Sequence, residues 1–142
     1  AHFRINDYLA KLTGISKDMR TILIDWMVEV QENFELNHET LYLSVKIVDA
    51  YLDRIDDIKK DKLQLVGVSA MFVACKYDER LSPLLDDFVY VCDGAYQPND
   101  ILAMEQRLLK TLQYELSFPI SYSFLRRYAR VCVQESKDCS EL

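Results

Sequence analysis

The sequence predicts an all-α protein, and three observations support this fold class. Half of the 142 residues are hydrophobic, which is enough for one real core and a single domain of ordinary size. The chain contains three glycines and three prolines, too few for the many turns of a β-sandwich or barrel. Apolar residues recur three or four positions apart through most of the chain, which is the spacing of amphipathic helices. We therefore predict helices packed around one core.

The first helix is predicted over residues 19–34, after an irregular lead-in over residues 1–18. Ser16 or Asp18 is able to cap its N-terminus. Apolar residues at helical spacing form one face, which we expect to pack against the core: Leu23, Met27, Val30 and Phe34.

A second apolar stripe runs along the same helix, formed by Met19, Ile22 and Trp26. A helix with so much apolar surface lies either at the centre of a bundle or beside a groove. Because the third helix is the better candidate for the centre, the groove is favoured. Glu29 extends the stripe and would place a carboxylate at one end of an apolar slot, suited to a peptide with one basic and one apolar anchor.

The second and third helices follow. Asn37 is able to cap the second, which has apolar residues at heptad-like spacing and ends in the charged stretch 53–62. The third, over residues 62–78, is apolar nearly all round and therefore belongs in the middle of the bundle. Lys76 is the one charge that ends its apolar run, and a cation near a helix C-terminus is favourable by about 0.3–1 kcal/mol.

A short fourth helix is predicted near residues 84–91, and the fifth begins at Pro98, a favourable first helical position. Glu105 interrupts the apolar stripe of the fifth helix. Because an unpaired buried carboxylate is costly, we expect Glu105 to find a cation or to lie at the surface. Beyond Pro119, Ser121 could cap a further helix. Nothing after that helix would cover its apolar face, so we expect another domain to follow.

The charge pattern argues against nucleic acid and membranes as partners. Seventeen basic and 23 acidic residues give a net charge of -6, whereas nucleic-acid binding requires a basic face. The longest apolar stretch, residues 63–77, is interrupted by polar residues and is shorter than the about 20 apolar residues that span a bilayer. The one dense basic cluster is predicted to form a solvated helix side: Arg126, Arg127 and Arg130.

No assembled catalytic or metal site is visible in the sequence. His38, which begins the second helix, is interpreted as structural, and no two glycines lie close enough for a phosphate-binding loop. The four cysteines match neither a zinc site nor a redox pair and are interpreted as reduced thiols of an intracellular protein: Cys75, Cys92, Cys132 and Cys139. An all-helical enzyme with acids brought together from distant helices stays open as an alternative.

Three segments resemble the first box of the cyclin family: MRTILIDWMVEV (19–30), KLQLVGVSAMFVACKYDE (62–79) and MEQRLLKTL (104–112). Within the family, HETLYLSVKIVDAYL, DDFVYVCDGAY and FLRRYAR are most similar to the B-type mitotic cyclins, in particular the third B subtype. The resemblance implies a five-helix cyclin fold with a central third helix. It implies a first box over residues 19–118, and over residues 119–142 the linker and the start of a second box.

The resemblance implies a regulatory subunit that performs no chemistry, binds and activates a mitotic cyclin-dependent kinase, and acts in control of the G2/M transition. Lys76 and Glu105 match the charged pair that hydrogen-bonds around the regulatory helix of the kinase. Binding pushes that helix inward, so that its glutamate pairs with the active-site lysine. The apolar positions of the same contact are matched by Tyr77, Leu109, Tyr114 and Leu116.

The resemblance also implies a hydrophobic patch that docks arginine-x-leucine peptides of substrates and inhibitors. Its positions are matched by Met19, Ile22, Leu23, Trp26, Glu29, Leu63 and Gln64. Thr21 stands where the family motif usually has alanine.

Arg20 and Asp49 could lock the first two helices together, and they match the internal ion pair of the family. No cofactor is implied, and we expect the protein in the nucleus and cytoplasm. The alternative within this fold is a cyclin-like helical module in transcription or scaffolding that does not activate a kinase.

Overall fold

The structure, a computed structural model, describes residues 8–12 and 14–118. Within this range the chain forms helices and no strands. The five α-helices are α1 (Lys17–Asn33), α2 (His38–Arg54), α3 (Leu63–Asp78), α4 (Leu85–Val91) and α5 (Pro98–Thr111). The all-α class and the order of the five helices are therefore confirmed. The predicted helix after Ser121 and the arginine cluster lie outside the described residues.

The start of α1 is fixed by a side-chain cap. Ser16 Oγ accepts a hydrogen bond from the Met19 N–H at 3.2 Å, as its position predicted. At the other end, Glu35 has a φ of 54° and turns the chain towards α2. The side-chain amide of Gln31 donates to the Leu36 carbonyl at 2.7 Å, so this buried polar group has a partner within the turn.

The N-terminus of α2 is capped by the residue that follows α3. Asn37 occupies the N-cap position, but its side chain makes no capping bond, contrary to the sequence prediction. Instead, the Asn37 N–H donates to Glu79 Oε1 at 2.6 Å, and its side-chain amide donates to Glu79 Oε2 at 3.2 Å. The buried Thr40 hydroxyl donates to Glu79 Oε1 at 2.7 Å. The carboxylate that follows α3 thus replaces the local cap and joins the two helices.

Helix α3 lies at the centre of the bundle. Every residue from Leu65 to Cys75 is buried, and the helix packs against α1, α2, α4 and α5. This is the position that its all-round apolar sequence predicted. Gly67 allows α1 to approach closely, because a Cβ at this residue would lie 2.7 Å from Leu23 Cδ1.

An ion pair fixes α1 against α2. Arg20 Nε and Nη2 donate to the two carboxylate oxygens of Asp49 at 2.9 and 2.7 Å. Both side chains are largely shielded, with exposed fractions of 29% and 13%. Such a two-pronged contact restricts the rotation of one helix relative to the other. The orientation of α1 matters because this helix carries the second apolar stripe.

Helix α5 begins with Pro98, as its sequence predicted, and Asp100 Oδ2 accepts a hydrogen bond from the Gln97 N–H at 2.8 Å. Its buried face packs against α3 and carries Ile101, Met104 and Leu108. This packing sets the rotation of α5 and hence the side on which Glu105 emerges.

Candidate functional site

Two opposite charges from different helices meet at the surface. Lys76 in the last turn of α3 donates to Glu105 Oε1 on α5. The Lys76 side chain is 45% exposed and that of Glu105 is 13% exposed, so the pair lies at the rim of the core. Glu105, for which the sequence predicted a cation or a surface position, therefore has Lys76 as its cation. Because an ammonium group carries three donors, Lys76 keeps two for another acceptor.

The ammonium group of Lys76 lies over an aromatic ring. Lys76 Nζ is 4.2 Å from the ring centroid of Phe72, one turn earlier on α3. Phe72 meets the fully buried Phe88 of α4 edge to face at 5.5 Å. A cation over an aromatic face at an exposed site contributes about 0.5–1 kcal/mol. Phe72 was not predicted from the sequence, although its spacing of four residues from Lys76 was a usable signal.

Aromatic side chains are exposed at the C-terminal ends of α3 and α5. Tyr77 is 55% exposed and Tyr114 is 66% exposed. The Tyr77 hydroxyl lies 3.1 Å from Ser117 Oγ, which joins the end of α3 to the segment after α5. Leu109 and Leu116 are half-buried and pack against the core. Large apolar side chains left exposed together are typical of an interaction surface.

The turn after α5 holds two residues in the left-handed region. Gln113 and Tyr114 have φ values of 55° and 61°, which L residues with a side chain rarely adopt. The Tyr114 N–H donates to the Leu109 carbonyl at 2.8 Å and closes the turn. Backbone strain of this kind clusters at functional sites. Here it maintains an exposed tyrosine ring beside the end of α5.

An apolar groove of about 330 Å³ lies between α1 and the start of α3. It is lined by Met19, Ile22, Leu23, Trp26, Lys60, Leu63 and Gln64. The groove that the second stripe of α1 indicated is therefore present. Ile22, a large apolar side chain of this lining, is 68% exposed. Thr21 does not line the groove, since its exposed hydroxyl donates back to the Lys17 carbonyl at 3.1 Å.

Glu29 is not among the residues that line this groove, and its place in the docking patch stays a prediction. It lines a side depression of about 540 Å³ between α1 and α4, together with Tyr90 and Asp93. Trp26 borders both depressions. Successive turns of α1 place the residues of the stripe first beside the start of α3 and then nearer to α4, which explains why Glu29 borders the second depression. The carboxylate therefore lies beside the groove, in a depression that shares Trp26 with it.

Lys60 is the charged residue of the apolar groove, and it was not predicted from the sequence. It belongs to the short 3-10 turn Lys60–Lys62 before α3 and not to an apolar stripe. Only the packing of this turn beside α1 places its side chain there. The groove and the side depression together therefore present a cation, an apolar floor and two carboxylates.

The described cysteines are buried, unpaired thiols. Burial raises the pKa of Cys75 to about 12, with Glu79 and Asp78 adding to the effect, and it raises that of Cys92 to about 11. Neither thiol is a nucleophile near neutral pH. Cys132 and Cys139 lie outside the described residues. Across residues 8–12 and 14–118, no cluster of histidine, cysteine and carboxylate groups could hold a metal, and no helix could cross a bilayer.

Comparison with known families decides between the classes that share this architecture. The profile of the family "Cyclin, N-terminal domain" matches residues 1–117, which is most of the chain. The chain belongs to the cyclin family. Cyclins are regulatory subunits rather than enzymes, which removes the all-helical enzyme from the alternatives.

Among curated cyclins, the chain is similar to G2/mitotic-specific cyclin-B3 of Drosophila melanogaster, with 58% identity over 130 residues, 92% of this chain and 22% of the relative. Cyclin-B3 of Gallus gallus is 53% identical over 96% of the chain and 33% of the relative. Cyclin-B2-1 of Arabidopsis thaliana is 42% identical over 96% of the chain and 31% of the relative. The B-type assignment is confirmed, and the chain spans about a third or less of these relatives.

Among solved structures, a viral cyclin from Herpesvirus saimiri has the same fold, with a TM-score of 0.79. It shares 24% sequence identity, and the match covers 87% of this chain and 53% of the viral cyclin. At this identity the match shows the fold alone. The cyclin box of this chain thus carries the paired charges and the apolar groove on a family architecture.

Proposed function

We propose that this cyclin box binds a mitotic cyclin-dependent kinase, helps to activate it, and recruits its substrates in control of the G2/M transition. The names of the B-type relatives support the cell-cycle role. Such a regulator would act in the nucleus and cytoplasm, beside the kinase.

The pairing of Lys76 with Glu105 carries the kinase part of the proposal. Residues of α3 and α5 that are 29 positions apart in sequence form one charged pair at the surface. The exposed rings of Tyr77 and Tyr114 provide apolar area at the ends of the same helices. A surface that combines exposed aromatic side chains with a preformed charged pair is suited to a helix that presents both apolar and polar groups.

Activation follows if the box binds the active arrangement of the kinase more tightly than the inactive one. A partner shifts a conformational equilibrium only by the difference between its affinities for the two states. In the active arrangement the regulatory helix of the kinase lies close to its active site. The cyclin surface would stabilise that position through Lys76 and the apolar residues around it, while the chemistry stays in the kinase.

The charged pair is tested by reversing each charge and then both. The Lys76→Glu and Glu105→Lys variants should each lose co-purification with a mitotic cyclin-dependent kinase, because each places two like charges side by side. In the double variant the two side chains attract each other again, but the positive and negative groups have exchanged places on the surface. We expect it to stay unbound while its free energy of unfolding returns towards the wild-type value.

Lys17→Glu is the matched control, since it makes the same change of charge at the exposed start of α1. It should bind the kinase as the wild type does. If the double variant binds the kinase normally, the pair is only structural and the proposed surface is wrong. If all single variants bind, the chain is a helical module without this kinase contact.

Substrate recruitment rests on the apolar groove and is tested separately. Trp26→Ala removes the indole that borders both the groove and the side depression. We expect at least a tenfold loss of affinity for an arginine-x-leucine peptide, measured by fluorescence anisotropy, because central aromatic residues dominate such contacts. Kinase binding by the same variant reports whether the box remains folded. Unchanged peptide affinity would remove the docking role.

A further inference from the structure

A third depression lies apart from both surfaces described above. This α2–α5 cleft, of about 520 Å³, is formed by the end of α2, the segment before α3, and one side of α5. It shares no residue with the apolar groove or the side depression. Its volume is within the range of about 300–1,000 Å³ that is usual for ligand sites. The proposed kinase and substrate contacts make no use of it.

The floor of the cleft is apolar. Ile55 just after α2, Leu65 of α3 and Met104 of α5 line it together with Tyr51. Leu65 and Met104 are nearly buried, whereas Ile55 is half-exposed. The cleft therefore offers room for an apolar side chain to lie against a surface that the chain itself leaves partly uncovered.

Cations outnumber anions along the rim. Lys59, Lys62 and Arg107 line the cleft, against Asp57 and Asp100, which is unusual in a chain with a net charge of -6. In the part of the chain that the structure describes, no ion pair or hydrogen bond engages the side chains of these three cations.

Each of the two carboxylates at the rim already accepts one backbone hydrogen bond. Asp100 Oδ2 accepts a hydrogen bond from the Gln97 N–H, and Asp57 Oδ1 accepts one from the Ile58 N–H, both at 2.8 Å. Burial raises the pKa of the nearby Tyr51 above its usual value, and the positive charge of Arg107 offsets only part of this rise. The Tyr51 hydroxyl therefore stays protonated near neutral pH.

We propose that the α2–α5 cleft is a second peptide-binding site, which takes a segment with one glutamate or aspartate next to an apolar residue. The charge of the lining selects this ligand. Three cations and two carboxylates leave one unit of positive charge, which a single carboxylate neutralises. A phosphate dianion would overcompensate it and would meet the two resident carboxylates. Arg107 supplies the planar fork that pairs with a carboxylate.

The site is tested on the whole 142-residue chain with two short probes, N-acetyl-Leu-Glu-Leu-amide and its glutamine counterpart. Amide chemical shifts of isotope-labelled protein are followed as each probe is added. We expect the glutamate peptide to bind in the millimolar range and to move signals around Tyr51, Leu65 and Arg107. Binding should weaken as salt is raised, because the contact is between exposed charges.

Arg107→Glu should weaken binding of the glutamate peptide at least about tenfold, since it replaces attraction by repulsion. Lys110→Glu is the control, because it makes the same charge change on α5 at a residue that does not line the cleft. Kinase co-purification by Arg107→Glu should be normal, which separates this site from the proposed kinase surface.

Four results would overturn the proposal. The glutamine peptide could bind equally well, which would leave the charges without a role, or the glutamate peptide could shift no signal in the cleft. A phosphoserine peptide could bind more tightly than the glutamate peptide, which would contradict the single-carboxylate assignment. Finally, the chain could self-associate in a way that Arg107→Glu abolishes. This result would mean that a second copy of this protein occupies the cleft.

Discussion

At the scale of single residues, the candidate kinase surface combines side chains that a stable monomer would not require. Lys76 and Glu105 satisfy each other, yet they do so at the rim, where an ion pair adds little to stability. Tyr114 is exposed and sits at a φ of 61°. Both features are easier to explain by binding than by folding.

Replacing Tyr114 with glycine should separate stability from binding. Glycine relieves left-handed backbone strain of about 1 kcal/mol, so the free energy of unfolding should not decrease. Kinase affinity should fall several-fold, because an exposed aromatic contact is lost. Urea unfolding and a kinase pull-down measure the two effects.

Gln113→Gly is the control, since it relieves strain at the neighbouring residue and leaves the tyrosine in place. It should keep full kinase affinity. A Tyr114→Gly variant that binds the kinase as tightly as the wild type would show that the ring is not part of the contact.

At the scale of helices, the close crossing of α1 over α3 shapes the apolar groove. Gly67 leaves space for Leu23, which lines the groove, and the Arg20–Asp49 pair fixes the rotation of α1. Glu79 fastens the start of α2 to the end of α3, three residues beyond Lys76. The two candidate surfaces therefore depend on contacts between helices that lie outside them.

Gly67→Ala should alter the groove more than it alters stability. The new Cβ would lie 2.7 Å from Leu23 Cδ1 and displace the flexible end of that side chain. Alanine improves helix propensity by about 1 kcal/mol, which offsets the strain. We expect the free energy of unfolding to change by less than about 1 kcal/mol and arginine-x-leucine peptide affinity to fall several-fold.

Ser69→Ala, two residues along α3, provides the comparison. It removes a buried hydroxyl that has no hydrogen-bond partner within residues 8–12 and 14–118, and it does not touch the groove. Its peptide affinity should equal that of the wild type. Equal peptide affinity for Gly67→Ala as well would mean that Leu23 does not shape the docking site.

At the scale of the whole molecule, the buried thiols make stability depend on alkaline pH. Unfolded cysteines ionise near their reference pKa of 9.0, whereas folded Cys75 and Cys92 ionise near 12 and 11. Above pH 9 the unfolded chain therefore loses protons that the folded chain keeps. Each thiol then lowers the free energy of unfolding by about 1.4 kcal/mol per pH unit, and below pH 9 it has no such effect.

Urea unfolding at pH 8, 9 and 10 measures this slope. The Cys75→Ala/Cys92→Ala variant should be less stable at every pH, because it has lost buried atoms, but its stability should fall much less between pH 9 and 10. The same slope in both proteins would assign the alkaline loss to other groups and would contradict the burial of the two thiols.

The helical class, the five helices and most of the groove could be predicted from local patterns, because caps and apolar spacing act within a few residues. The sequence also indicated that Glu105 needed a cation. The match to the family's charged pair indicated Lys76 as this cation, and the structure pairs the two side chains. The position of Glu29 beside the slot, that of Lys60 within it and the replacement of the Asn37 cap by Glu79 were visible only in the folded chain. These outcomes depend on the rotation of each helix about its axis and on the position of each turn relative to the helices. Both are set by packing between residues far apart in the chain, which no local pattern encodes.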